Sequence, residues 1–369
     1  MAPAGRLRLF YLLYYANVGT LLPYLAPYLR GLGFSGEQIG LVQTGPALLA
    51  PVVALGWAAW ADRRASAVRA LRRAVVNVHH LPDAMARAAE EAAAAVGVQL
   101  AVSREPVIAG TGGALREARP LLGGADEIVV VNGDVLFDLD LPAALDAHRQ
   151  SGALATMVLL PMPAGARYAS VEVDGGGAVR RIAGAFGPGG DALRPWHFSG
   201  VHVLSAALLD HVPATPFEVD VNRHVYPPLM AGGRVRGHVV AGYWNDLGTP
   251  ARYLAANLDV LAGRVPLARF PGADPFVGTA ELAPGVRAAP GARVAADARV
   301  VGPALVLAGG EVGAGAEVGP GAVVGAGARV PPGASAREAV VWDGTALLAG
   351  ERLASAIAAG TERVRADRE

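Results

Sequence analysis

Two aspartates stand where strand-like apolar segments end. Asp134 closes the triplet Asn132-Gly133-Asp134, and Asp246 follows an aromatic segment and precedes a helix start. Gly133 permits a close approach of the backbone, and Asn132 can hold a turn. Mg²⁺ binds through one or two carboxylates together with substrate phosphates, so a metal held by Asp134 and Asp246 is one interpretation. The alternative is that each aspartate only supports its turn.

The segments around Asp134 alternate between strand and helix patterns. Strands are predicted at 74–78, 98–102, 127–131 and 153–160, and helices at 82–96, 110–122 and 141–150. The turn Gly110-Thr111-Gly112-Gly113 opens the second of these helices. This alternation predicts a parallel, doubly wound α/β sheet, whose ligands bind outside the carboxyl ends of the strands.

The composition excludes several classes of protein. The 369 residues carry 32 basic and 32 acidic side chains, which argues against a strongly basic nucleic-acid binder. The absence of cysteine excludes a disulfide scaffold, a thiol nucleophile and cysteine metal sites. Every basic side chain other than histidine is arginine, because the chain contains no lysine.

Two long uncharged stretches lie near the N-terminus, at 9–29 and 38–61. Each is long enough to cross a bilayer as a helix, and the connection between them is short. Arginines flank both outer ends, so the positive-inside bias places everything after residue 62 in the cytoplasm. Residues 1–66 are therefore predicted to be a transmembrane helical hairpin in the cytoplasmic membrane, with residues 9–61 in the membrane. The alternative is a pair of buried helices in a cytoplasmic protein.

The C-terminal third has a six-residue repeat. Valine recurs at every sixth position from Val294 to Val330, with Leu282, Trp342 and Leu348 on the same phase. The repeat predicts a left-handed parallel β-helix over 277–350, which we expect to serve a structural or oligomerising role. The alternative is low-complexity sequence. Residues 264–276 are predicted to be a linker, and 351–369 a charged tail with a short helix.

The middle of the chain resembles the sugar-1-phosphate nucleotidyltransferases. The resemblance is carried by Val76-Asn77-Val78-His79-His80-Leu81, Glu105-Pro106, the Gly110–Gly113 turn, Val131-Asn132-Gly133-Asp134, Phe198-Ser199-Gly200-Val201 and Trp244-Asn245-Asp246-Leu247-Gly248-Thr249. It spans 67–263 and is nearest the mannose-1-phosphate guanylyltransferase and N-acetylmuramate-1-phosphate uridylyltransferase branches. Such enzymes join a nucleoside triphosphate to a sugar-1-phosphate and release pyrophosphate.

The resemblance also implies roles for individual residues. Asp134 and Asp246 would be the catalytic Mg²⁺ ligands. The nucleotide would lie against two segments, Gly110-Thr111-Gly112-Gly113 and Asn132-Gly133. Gly200 and Asn245 would contact the sugar.

The chain departs from this family at its N-terminus. The family begins with a strand and a Gly-rich phosphate loop, and the membrane-like segment occupies that place here. We therefore expect a nucleotidyltransferase sheet without its first strand, and catalysis impaired by the loss of the loop.

The first 60 residues or so resemble the first two helices of major facilitator transporters. The matching segments are Leu9–Leu25, Leu32-Gly33-Phe34-Ser35, Gln38-Ile39-Gly40 and Gly56–Arg63. The sequence alone is compatible with three functions. These are a membrane-tethered nucleotidyltransferase, a catalytically inactive scaffold that binds sugar nucleotides, and, least favoured, a transporter fragment.

Overall fold

The computed structural model of the protein describes residues 9–14, 71–96, 98–163, 168–269 and 274–366. The chain divides into two compact units, and the division falls between Trp244 and Asn245. The boundary expected at residue 263 for the nucleotidyltransferase-like domain stays a prediction. The helix Pro250–Leu261 belongs to the second unit because it packs there, with Tyr253 and Trp342 ring centroids 6.1 Å apart.

Strands and helices alternate through most of the first unit. The strands are β1 Leu9–Tyr14, β2 Leu71–Val78, β3 Gln99–Arg104, β4 Glu127–Asn132, β5 Val135–Phe137, β6 Ala155–Leu160, β7 Ser170–Val173, β8 Val179–Ile182, β9 Arg194–Ser205 and β10 Val235–Val239, and β11 Trp244–Asp246 spans the division. The α-helices are Pro82–Val96, Gly110–Ala118, Leu141–Ser151 and Tyr226–Ala231. The predicted α/β pattern is present, with boundaries shifted by a few residues.

The main sheet has the strand order β10-β6-β9-β4-β1-β2-β3. β1 pairs in parallel with β2 on one side and with β4 on the other. The expectation that the sheet lacks its first strand is therefore wrong. Leu9–Tyr14 is an uninterrupted apolar run, and such runs suit a strand at the centre of a parallel sheet as well as a membrane helix.

The same strand corrects the start of the predicted membrane hairpin, because residues 9–14 are extended and not helical. The rest of that hairpin, residues 15–66, lies outside the described residues. No helix in the described ranges combines the length and the apolar character needed to cross a membrane.

Helices cover both faces of the sheet. One face packs on the helices Gly110–Ala118 and Tyr226–Ala231, with Leu115, Tyr226 and Met230 fully buried. The other face packs on Leu141–Ser151. That helix begins where the Asp140 carboxylate accepts a hydrogen bond from the Ala143 amide at 3.2 Å, which satisfies an amide otherwise unpaired at a helix start. The buried apolar contacts hold these helices against the two faces of the sheet.

The second unit contains the helix Pro250–Leu261 and many short strands. These are β12 Ala280–Ala283, β13 Val286–Ala288, β14 Arg293–Val294, β15 Arg299–Val300, β16 Ala304–Val306, β17 Glu311–Val312, β18 Glu317–Val318, β19 Ala322–Val324, β20 Arg329–Val330, β21 Ser335–Val341, β22 Arg352–Ala359 and β23 Glu362–Arg365. From β13 to β20, each strand pairs in parallel with the strand 18 residues away, as Val294 does with Val312 and Val312 with Val330. Three hexapeptides therefore separate stacked strands, and the repeated valines from Val306 to Val330 are buried between them.

The repeat loses one residue within β21. Val318 still pairs with Ala336 at an offset of 18, whereas Val324 pairs with Val341 at 17. Val341 and Leu347 therefore take the buried positions that the sequence phase assigned to Trp342 and Leu348, and Leu348 is 73% exposed. Glu338, with a φ of 43°, lies at the shift. Leu282, also expected on the buried phase, is exposed because it lies on β12, which pairs antiparallel to β13.

The predicted helical tail is instead a pair of strands. β22 extends the stack by pairing in parallel with β21, and β23 returns antiparallel to β22. Leu353 and Ile357 are buried on β22 and continue the stacked core. The tail therefore folds as the end of the repeat unit and not as a separate charged segment.

Candidate active site

The strand order of the first unit indicates where a ligand would bind at the end of the sheet. The chain runs from β1 outward to β2 and β3, and then returns to place β4 on the other side of β1. The strand order thus reverses between β1 and β4, and open α/β sheets bind ligands outside the carboxyl ends of strands at such a reversal. Asn132 ends β4 opposite Tyr14, the last residue of β1. The predicted triplet Asn132-Gly133-Asp134 therefore begins at the reversal point.

Asp134 lies in the tight turn between β4 and β5 and is only 2% exposed. The turn is anchored by β4 on one side and by the fully buried Phe137 on the other. A carboxylate this deeply buried requires charged or polar partners, because desolvation of an ionised group is unfavourable. Its position at the end of a central strand agrees with the sequence prediction.

The structure brings Gly200 against Asn132. Gly200 follows Phe198 and Ser199 on β9, which runs antiparallel beside β4. It has a φ of +82°, and a Cβ atom there would lie 3.0 Å from the Asn132 Cβ. Only glycine fits this approach without displacing Asn132, so these two predicted residues share one wall at the end of β4.

The turn at Gly110–Gly113 contacts the segment 217–221. A Cβ on Gly112 would lie 2.6 Å from a methyl carbon of Val219, and one on Gly113 would lie 2.9 Å from the Phe217 carbonyl oxygen. The Thr111 hydroxyl accepts a hydrogen bond from the Val221 amide at 2.7 Å. The local reason for these glycines is therefore the close packing of two backbone segments.

The same contact occupies the start of the helix Gly110–Ala118. The amides of Gly112 and Gly113 both donate to the Val219 carbonyl oxygen, at 2.6 and 3.2 Å. Helix N-termini bind anions through such amides when the amides have no other acceptor. A nucleotide meeting this turn would therefore contact its outer surface and not these two donors.

Glu105 belongs to the Glu105-Pro106 motif and lies close before the Gly-rich turn. Its side chain is buried, accepts a hydrogen bond from Asn77 Nδ2 at 3.1 Å, and accepts another from the Ala109 amide at 3.2 Å. Burial raises the pKa of the Glu105 carboxyl above its ordinary value, although both hydrogen bonds act in the opposite direction. Glu105 thereby ties the end of β2 to the residue preceding the Gly-rich turn.

Asn245 and Asp246 belong to the second unit. Asp246 is 8% exposed, its Oδ1 accepts a hydrogen bond from the Gly248 amide at 2.7 Å, and its Oδ2 pairs with the Arg252 guanidinium. The predicted helix start that follows is present, because Pro250 begins the helix and the Thr249 hydroxyl accepts a hydrogen bond from the Arg252 amide. Asp246 therefore supports the turn that precedes this helix.

The donor chemistry at the two aspartates suits Mg²⁺. Mg²⁺ prefers hard oxygen ligands and usually takes only one or two protein carboxylates. Asp134 supplies a buried carboxylate at a strand end, and each Asp246 oxygen keeps a second lone-pair direction beyond the hydrogen bond it accepts. Within the described ranges, no three His, Asp or Glu side chains lie close enough together to form a metal cluster on their own.

Comparison with known proteins gives several matches. The mannose-1-phosphate guanylyltransferase of Mycobacterium tuberculosis is 31% identical over 174 residues, which cover 47% of this chain and 47% of that protein. The mannose-1-phosphate guanylyltransferase catalytic subunit beta of Xenopus tropicalis is 26% identical over 200 residues, covering 51% and 52%. The chain thus spans about half the length of these curated relatives. The crystal structure of HddC from Yersinia pseudotuberculosis complexed with GMP-PN aligns at a TM-score of 0.42 and 20% identity, covering 50% of this chain and 77% of that one.

Two family models match the chain. The MFS_1 like family model matches residues 5–86, in agreement with the transporter-like character of the N-terminal segment. The Nucleotidyl transferase model matches residues 63–263, which is more than half of the chain and includes the Gly-rich turn, Asp134, Gly200 and Asp246. The chain therefore belongs to the nucleotidyl transferase family.

Proposed function

We propose that this protein acts on a nucleoside triphosphate and a sugar-1-phosphate, forming a nucleoside-diphosphate sugar and pyrophosphate. The observation that carries the proposal is the position of buried Asp134 at the strand-order reversal, next to the Asn132–Gly200 contact. The names of the relatives support the same reaction and favour guanylyl transfer to mannose-1-phosphate as the first pair to test. UTP with N-acetylmuramate-1-phosphate is the second substrate pair to test.

In the proposed reaction, a phosphate oxygen of the sugar-1-phosphate attacks the α-phosphorus of the triphosphate, and pyrophosphate leaves. This reaction needs no covalent nucleophile from the protein. Its residues position the two substrates, and such positioning can supply several kcal/mol of the barrier reduction. Asn132 and Gly200 would form the wall at the end of β4, and the outer surface of the Gly110–Gly113 turn would meet the nucleotide.

The Mg²⁺ proposal rests on the sequence motifs and on the chemistry of the two carboxylates. Asp134 and Asp246 would hold the ion, which would neutralise charge on the phosphates when bound. The Arg252 guanidinium pairs with the Asp246 carboxylate and therefore already places a positive charge beside it. We expect Mg²⁺ affinity to rise in Arg252→Gln, because the competing cation is removed.

We further propose that turnover is slow. The support is the sequence, which has no lysine and no Gly-rich phosphate loop at the family position. Removing a single group that stabilises transition-state charge can cost roughly 10²–10³ in rate, and a missing loop removes several such groups. Binding of a sugar nucleotide depends on residues that are present, so it should survive better than catalysis.

The decisive assay is pyrophosphate release from GTP or UTP with a panel of sugar-1-phosphates and Mg²⁺. The matched pair of variants is Asp134→Asn and Asp191→Asn, since Asp134 is buried and Asp191 is exposed. We expect slow release that Asp134→Asn abolishes and Asp191→Asn leaves unchanged. Release that is equal in both variants would contradict the site, whereas fast release sensitive only to Asp134 would contradict the slow turnover.

The second unit and the N-terminal segment carry two further proposals. The 18-residue register supports a parallel β-helix. We propose that this β-helix is left-handed and that it holds copies of the chain together, which light scattering with and without residues 277–369 tests. Location at the cytoplasmic membrane, with residues after 62 in the cytoplasm, stays a prediction. Fractionation of cells expressing the full chain tests it against the cytoplasmic alternative.

A further inference from the structure

His197 lies at the edge of the sheet where the proposed substrates bind. It is on β9, which runs antiparallel between β4 and β6. His197 pairs with Leu160, the last residue of β6, and it lies beyond Gly200, the residue that contacts the end of β4. β6 therefore ends opposite His197, whereas β4 ends at Asn132, beside Gly200. His197 thus lies at the carboxyl end of β6 and beyond that of β4, on the side of the sheet where ligands of α/β sheets bind.

The imidazole of His197 is buried without a hydrogen bond. It is 4% exposed, and neither ring nitrogen has a partner among the residues that the structure describes. The other deeply buried histidines of this unit are paired, His202 with Tyr226 Oη at 2.7 Å and His148 with Thr156 Oγ1 at 2.8 Å. A buried polar group left unpaired is unfavourable, so its retention calls for an explanation.

Two aromatic rings flank the His197 ring. The centroid of Tyr168 is 4.4 Å away and that of Trp244 is 4.3 Å away, and the two aromatic rings are themselves 5.7 Å apart. The Trp244 indole N–H donates to the Ser199 carbonyl oxygen at 2.8 Å, which fixes this ring beside β9. Apolar and aromatic walls with a few convergent polar groups are typical of small-molecule sites.

We propose that His197 is a specificity-determining residue that hydrogen-bonds a hydroxyl or acetamido group of the sugar-1-phosphate, with Tyr168 and Trp244 as the walls beside it. This inference rests on the proposed function and names the part of the substrate that the residue recognises. Burial lowers the pKa of His197 to about 4, so its ring is neutral at physiological pH and has one donor and one acceptor. A neutral ring that can both donate and accept a hydrogen bond matches a sugar hydroxyl. The phosphate of the same substrate would instead be bound best by a positively charged side chain.

The test compares His197→Phe with His211→Phe. Phenylalanine fills a similar volume among the aromatic rings and removes both nitrogens, and His211 is an exposed control in the same unit. Calorimetry would measure the affinities of α-mannose-1-phosphate, α-glucose-1-phosphate and N-acetylglucosamine-1-phosphate, with GTP and UTP measured separately. We expect the tightest sugar-1-phosphate to bind about 5- to 30-fold more weakly to His197→Phe, with nucleotide affinity unchanged.

Thermal melting separates recognition from a structural role. Replacing an unpaired buried imidazole by an apolar ring should leave the melting temperature unchanged or raise it. In addition, deoxy-sugar phosphates should identify the group, because the analogue lacking it would bind wild type and His197→Phe equally.

Three outcomes would overturn the inference. Sugar-1-phosphate binding that is unchanged in His197→Phe would refute the role of His197 and leave the proposed function intact. A lower melting temperature with unchanged binding would show that His197 is structural. Absence of any sugar-1-phosphate binding to the wild type would overturn the proposed function and, with it, this inference.

Discussion

Gly110 and Gly124 form a natural pair for measuring how closely the Gly-rich turn packs. Both have left-handed backbones, with φ of +72° and +76°. A Cβ on Gly110 would lie 2.6 Å from the Val219 carbonyl oxygen, whereas a Cβ on Gly124 would have nothing within 4 Å. The two alanine variants therefore share the conformational penalty, and only Gly110→Ala adds the clash.

The magnitudes follow from these two contributions. A non-glycine residue in the left-handed region costs about 1–2 kcal/mol, which is the whole expected loss for Gly124→Ala. Forcing a methyl group into a filled space adds about 1–3 kcal/mol, here against backbone atoms that cannot rotate away. Gly110→Ala should therefore reduce the unfolding free energy by about 2–5 kcal/mol.

Thermal melting of both variants measures the global effect, and hydrogen exchange measures where it occurs. Exchange should accelerate in Gly110→Ala at the amides of Gly112, Gly113 and Val219, because the contact between their segments must open. Gly124→Ala should leave exchange at those amides unchanged. Equal stability losses in the two variants, or unchanged exchange at these amides in Gly110→Ala, would refute the packing argument.

Three further results are expected. Burial holds the pKa of His197 at about 4 and that of His202 at about 3, so the unfolded chain protonates first as the pH falls from 6.5. Urea titrations should therefore show on the order of 3 kcal/mol less stability at pH 4 for each histidine, and a flat profile would contradict this. Tyr226→Phe leaves His202 Nδ1 without its partner and should lower the unfolding free energy by about 1–3 kcal/mol, measurable from the denaturation midpoint. Val318→Ala should cost about 2 kcal/mol and Val300→Ala less, because only Val318 is fully buried; equal melting temperatures would contradict the stacked core.

Local sequence signals predicted the elements that local physics controls. The helix Pro82–Val96 has the predicted bounds, because a proline at its first position and an alanine-rich interior both favour helix. The helix after Asp246 likewise begins at Pro250, behind its Thr249 cap. The turn containing Asp134 was located correctly, because a glycine-containing polar triplet interrupts two apolar segments.

The errors have long-range causes. The run beginning at Leu9 satisfied the length rule for a membrane helix, but the pairing of β1 with two strands far along the chain decides its conformation. The phase shift at Glu338 depends on which residues stack 17 positions apart, which hexapeptide spacing alone does not encode. The packing of the Gly-rich turn on Val219 and the unpaired ring of His197 likewise arise between segments distant in sequence.

The central place of β1 has a consequence for synthesis on the ribosome. β1 ends at Tyr14, and its partner β4 begins only at Glu127, 113 positions later. β1 therefore emerges first and must wait for more than a hundred residues before its second edge can be covered. An apolar strand with an open edge is prone to association with other chains during that interval. Factors that bind nascent apolar segments, and the rate of translation between β1 and β4, should therefore determine how much of this protein reaches its folded state.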